Sequence, residues 1–107
     1  MYKQREIDDN ERNCLDLIEE QLTEDITNYE ITKTEDIFDD EEDIVYRAFY
    51  FNRGTETYQI AISPNAEIKG CRIDIPSLLI LDIANSLIGI LNNNVYTRRR
   101  TKNIFRC

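Results

Sequence analysis

The stretch Thr34–Asp43, TEDIFDDEED, places seven carboxylates in ten residues: Glu35, Asp36, Asp39, Asp40, Glu41, Glu42 and Asp43. Three chemistries could use such a run. A calcium loop needs carboxylates at alternate positions and a glycine at its sharp turn. Asp39–Asp43 is contiguous and contains no glycine, so no metal site is assigned. A pair of carboxylates can cleave a glycosidic bond, but 21 acidic residues in a chain of 107 make any one pair uninformative. The third chemistry is electrostatic. A nucleic-acid duplex carries one charge about every 1.7 Å, and this run offers a comparable local field to a groove rich in Arg and Lys. The structural alternative is a solvated loop whose charge keeps the neighbouring strand edge from aggregating.

No other residues point to catalysis. The chain has no histidine, which removes the usual acid/base near neutral pH and the commonest metal ligand. It contains neither a nucleophile-elbow sequence nor a phosphate-binding glycine loop, and only three glycines in all. Cys14 lies among carboxylates that oppose thiolate formation. The expectation is a protein that is not an enzyme and takes no cofactor.

Charge is unevenly divided. Residues 1–43 hold 17 acidic against 4 basic residues, a net of −13, and residues 44–107 hold 4 against 9, a net of +5, within a total of −8. Such asymmetry creates two surfaces that steer different partners. Direct nucleic-acid binding is not expected of so acidic a chain. The one basic cluster, Thr97–Lys102 with Arg98, Arg99, Arg100 and Lys102, suits the negative end of a helix dipole or a clasp onto the acidic half.

The three cysteines, Cys14, Cys71 and Cys107, form no C-x-x-C pair. The opening MYKQREIDDN lacks the apolar core of a secretory signal. Cys14 and Cys71 are therefore expected as small buried apolar residues in a reducing cytoplasm, with Cys107 a free thiol. The longest apolar run, from Ile73 to Leu91, is broken by Asp82, Asn85 and Ser86, short of the roughly 20 residues that span a bilayer.

These residues need elements to hold them, and the length suits one domain, 1–107. Asp8 and Glu11 make a capping box at the start of a helix running to about Glu24. Ile7, Cys14, Leu15, Ile18 and Leu22 form its apolar stripe, and Asp16, Glu19, Glu20 and Glu24 its acidic face. NYEIT alternates as a short strand would, before an acidic loop over 34–43.

From Ile44 the runs IVYRAFYF and TETYQIAIS flank Asn52-Arg53-Gly54, the composition of a three-residue hairpin loop. That loop pairs Ala48 with Tyr58, Tyr46 with Ile60 and Ile44 with Ile62. Phe49 and Phe51 then share the opposite face with Val45 and Arg47, either as a second core layer or as the centre of an interface. Ser63–Ala66 reads as a turn, Glu67–Ile75 as a third strand bulged near Gly70. Pro76 opens a helix to about Leu91, ended by Asn92-Asn93-Asn94 and followed by a basic tail over 94–107. This helix is apolar around most of its circumference, which calls for cover on more than one side. Leu79, Ile83 and Ile90 are the candidate seam of a homodimer.

The expected fold is α+β, a three- to four-stranded antiparallel sheet flanked by an N-terminal and a C-terminal helix. In size, acidity and lack of catalytic groups the chain is similar to small phage anti-defence proteins, many anti-CRISPR proteins among them, and to immunity proteins that neutralise nuclease toxins. The resemblance implies a non-catalytic inhibitor of a basic nucleic-acid-binding protein, a nuclease or defence effector, acting in the host cell cytoplasm. The expected contact residues are Glu35, Asp36, Asp39–Asp43, Phe49 and Phe51. A small structural or regulatory homodimer with no nucleic-acid-related target is the alternative.

Overall fold

The computed structural model describes residues 7–71 and 74–101, with side chains for 7–70 and 74–92. Helix α1 (Asp9–Asp25) precedes strands β1 (Glu30–Asp39), β2 (Ile44–Arg53), β3 (Glu56–Ile62) and β4 (Ile68–Cys71), and helix α2 (Ser77–Thr101) follows. The sheet is antiparallel in the order β1-β2-β3-β4. The α+β fold expected from the sequence is the fold observed.

α1 starts where the capping box places it. The Glu11 N–H donates to Asp8 Oδ1 at 2.8 Å, and the Asp8 N–H donates to Glu11 Oε1 at 3.2 Å, so two otherwise orphan donors are satisfied together. Its apolar stripe, Cys14, Leu15, Ile18 and Leu22, is buried. Cys14 is buried as expected and is also disulfide-bonded, a bond the sequence reading did not expect. The other two cysteines have side chains outside the described residues.

The acidic stretch corrects the sequence reading. Thr34–Asp39 belongs to β1, and only Asp40–Asp43 turn the chain into β2. Strand β1 is an edge strand, where charge is tolerated because water reaches it and where it discourages pairing with other chains. The turn is built by its own acids. Asp39 Oδ1 accepts from the Glu41 N–H at 2.9 Å and the Glu42 N–H at 3.3 Å, and Asp43 closes it at φ 57, a left-handed conformation Asp adopts more readily than most residues.

The hairpin exists in a different register. β2 and β3 are joined by Gly54 and Thr55 alone, with Gly54 at φ 62, as two-residue hairpins with glycine first require. The pairs are Phe51 with Tyr58, Phe49 with Ile60 and Arg47 with Ile62. Relative to the three-residue loop, the pairing shifts by an odd number of residues, and this exchanges the two faces of β2. Val45, Phe49, Phe51, Ile60 and Ile62 therefore join α1 and α2 in one core.

β4 carries the bulge near Gly70, where Ala61 pairs with Gly70 and Ile62 with Ile68. Ser63 N–H donates to the Glu67 carbonyl at 2.9 Å and Ala66 N–H to the Ser63 carbonyl at 2.9 Å, closing the turn expected over Ser63–Ala66. α2 passes through Asn92-Asn93-Asn94 and ends at Thr101, because an asparagine disfavours helix by only about 0.7 kcal/mol. The basic segment is thus helical backbone to Thr101 rather than a tail. Leu79, Ile83, Leu87 and Ile90 face the core. Ser86 Oγ donates to Asp25 Oδ2 at 2.8 Å, which ties α2 to the end of α1.

Candidate functional site: an acidic face pinned by Arg47

Arg47 follows the core alternation of β2, and so its guanidinium enters the layer between sheet and helix. Only 7 % of the residue is exposed. Burying a guanidinium without partners is costly, and three carboxylates supply them. Nε donates to Asp36 Oδ1 at 2.7 Å and Nη2 to Asp36 Oδ2 at 3.2 Å. Nη1 donates to Asp16 Oδ1 at 2.8 Å and Glu19 Oε1 at 3.3 Å. Burial opposes the guanidinium's charge, but the bonds from Asp36 and Asp16 more than offset it, so its pKa lies above the ordinary arginine value.

This one side chain docks the acidic face of α1 against the acidic strand β1. Asp16, Glu19, Glu20, Thr23 and Glu24 line an open groove on the outer side of α1. A second groove runs between Glu19 and Ile31–Thr34 of β1. Three carboxylates meet one cation, so negative charge remains in excess. Glu20 and Glu24 are exposed and carry no polar contact with another described residue.

The seven carboxylates of Thr34–Asp43 have separate roles. Asp36 holds Arg47. Glu35 accepts from the Tyr50 hydroxyl at 3.2 Å. Asp39 shapes the turn. Glu42 accepts from the Tyr46 hydroxyl and lies 3.9 Å from Lys69 Nζ. Asp43 adopts the left-handed backbone of the turn. Asp40 and Glu41 are exposed, and their carboxylates meet no polar side chain among the described residues.

The outer face of the sheet mixes buried and exposed side chains, with Glu35, Ile37 and Gln59 exposed. Tyr46 and Ala48 are buried there, and Lys33 Nζ sits 5.1 Å from the Tyr50 ring centre. The Tyr46 hydroxyl is pushed up to about 12, first by its bond to Glu42, then by burial and by the nearby negative charge of Glu42, Asp39 and Glu67.

Two groups of expected contact residues are corrected. Phe49 and Phe51 are fully buried, with ring centres 6.4 Å apart, and so cannot meet a partner. Leu79, Ile83 and Ile90, the expected dimer seam, lie in the core of the single chain. The side chains of Arg98, Arg99, Arg100 and Lys102 lie outside the described residues. Arg47, Asp16 and Glu19 were absent from the expected contacts. Their signal was the only base in IVYRAFYF, facing a half-chain with a net charge of −13.

No protein-family model matches the chain, and neither a curated protein nor a solved structure matches it. Among the described residues, no helix is long and apolar enough to cross a membrane.

Proposed function

We propose that the protein is a non-catalytic acidic inhibitor that occupies the basic nucleic-acid-binding site of another protein, a nuclease or defence effector. One observation carries this proposal: Arg47 fixes the acidic faces of α1 and β1 side by side. Asp16, Glu19, Glu20 and Glu24 lie within nine residues of helix, about one carboxylate per 3–4 Å of axis, Asp16 and Glu19 shared with Arg47 and Glu20 and Glu24 exposed. One strand of a duplex carries a charge every ~3.4 Å. Asp40 and Glu41 extend the negative surface at the β1–β2 turn.

That spacing supports the reading. A site built to hold phosphates meets carboxylates at a similar interval, and the excess negative charge is relieved when Arg and Lys arrive, which favours fast association. The likeness in size and acidity to anti-CRISPR and nuclease-immunity proteins supports the same reading.

The test is competition. Proteins captured from a lysate on the immobilised chain should be released by added duplex DNA or RNA. Captured proteins that nucleic acid does not displace would overturn the proposal. The exposed apolar stripe on α2 favours a second reading, a structural or regulatory homodimer without a nucleic-acid-related target, and capture of no basic protein would leave that one standing.

A further inference from the structure

β1 is an edge of the sheet, ten residues long, and its neighbours fix which of its backbone groups face outward. A two-residue hairpin loop is closed by a pair that exchanges both backbone bonds, here Arg53 with Glu56. Such pairs alternate along an antiparallel ladder, so Tyr50, Ala48 and Tyr46 turn their N–H and C=O away from β3 and towards β1. The register gives them Lys33, Glu35 and Ile37 as partners. Thr34 and Asp36, which lie between, direct theirs out of the sheet. Among the described residues, no strand or turn bonds to that edge.

An open edge invites pairing, and proteins guard it with bulges, lysines, proline or charge. The first half of β1 has two such guards, the irregularity between Ile31 and Lys33 and Lys33 itself. Thr34–Asp39 contains no bulge, base or proline, and what guards it is negative charge. That charge repels a second copy, whose own β1 would bring Glu35, Asp36 and Asp39 to the same edge. It attracts a strand of opposite sign. Glu35 lies on the outer face of the sheet with Ile37, which is 38 % exposed. Asp36 lies on the α1 side, where it shares the single cation Arg47 with Asp16 and Glu19. On that side Glu19 stands across an open groove from Ile31–Thr34.

We infer that an extended basic segment of the partner protein docks along Thr34–Ile37 and adds to the sheet as a fifth strand. Main-chain bonds to Thr34 and Asp36 give the affinity, and alternate side chains give the selection. The residue opposite Glu35 and its neighbour opposite Asp36 are Lys or Arg, one on each face, and the residue opposite Ile37 is apolar. The docking rests on the proposed basic partner and names the form in which that partner presents its charge.

The probe is a capped peptide, TTVRKTT, added to the intact chain at up to millimolar concentration while amide hydrogen exchange is followed residue by residue. Exchange at Thr34 and Asp36 should slow by about tenfold or more, with little change at Glu35 and Ile37, which β2 already holds. N-methylation of alternate peptide amides should abolish binding in one phase and preserve it in the other. Thr34→Pro should remove the peptide's effect at little cost in melting temperature, because an edge strand tolerates proline where the N–H faces solvent. Glu35→Pro should lower the melting temperature instead. A peptide that binds without slowing Thr34 and Asp36, or that ignores both N-methylation patterns, overturns the inference and leaves a basic partner held by charge alone. Absence of binding overturns it too, and the duplex competition on captured proteins then decides separately whether the basic partner falls with it. Protection of the same amides by the chain alone as its concentration rises also overturns it, since a second copy would then hold the edge.

Discussion

Arg47 and Asp36 meet across the β1–β2 pair as a two-point fork, with the guanidinium edge on both carboxylate oxygens at 2.7 and 3.2 Å. The remaining amino group of the same guanidinium reaches across to Asp16 and Glu19 of α1. One residue therefore ties β1, α1 and the acidic surface together. Lysine has neither the planar fork nor the number of donors to repeat this.

Arg47→Met is expected to destabilise the fold by about 2–4 kcal/mol in denaturant titration. That is somewhat less than loss of one partner from a wholly buried pair, because Asp16, Glu19 and Asp36 retain access to water. Arg47→Lys should recover less than half of the loss. Equal stability of Arg47→Lys and the original would mean that the fork geometry contributes nothing.

Phe49→Ala and Phe51→Ala should each cost about 3–5 kcal/mol, since both rings are fully enclosed. A variant that lost affinity for a basic partner while keeping its melting temperature would return these residues to the surface role once expected of them.

Much of the fold can be read from the sequence, and the failures share a cause. The capping box at Asp8 and Glu11 and the stripe from Cys14 to Leu22 are local patterns, and α1 forms where they place it. The β2 and β3 runs are also local. Their register depends on whether the loop holds Gly54-Thr55 or Asn52-Arg53-Gly54, a difference too small for composition to settle, yet it moves Phe49, Phe51 and Arg47 to the opposite face. The start of β1 falls in the expected NYEIT strand, but its continuation to Asp39 was hidden because Glu35, Asp36 and Asp39 carry low strand propensity, which pairing with β2 overrides. The site has the same limit: an acidic helix face and an acidic run are visible along the chain, but their junction at Arg47 exists only once register and helix packing are fixed.

Tyr46 should show itself at high pH. Its hydroxyl is raised from 10.0 to about 12 in the folded chain, chiefly by donating to Glu42. The folded state therefore holds its proton more tightly than the unfolded one. The resulting stability is fully present below pH 10 and is lost as pH rises toward 12. A difference titration of phenolate absorbance between the original and Tyr46→Phe should give one tyrosine with a midpoint near 12. A midpoint near 10 would mean that the bond to Glu42 does not persist in solution.

The acidic face is tested most directly through the rate at which it finds a partner. Glu20, Glu24, Asp40 and Glu41 are the carboxylates to neutralise, because they are exposed and none holds the fold together, unlike Asp36, Asp39 and Glu42. With a captured basic protein as the probe, Glu20→Gln, Glu24→Gln, Asp40→Asn and Glu41→Gln combined should slow association at low salt by about tenfold or more. Raising salt should remove most of the difference as the Debye length shrinks, with the melting temperature unchanged or slightly higher. If the neutralised chain associates as fast as the original at low ionic strength, the acidic face is a solvated surface and the proposed inhibition of a nucleic-acid-binding site fails.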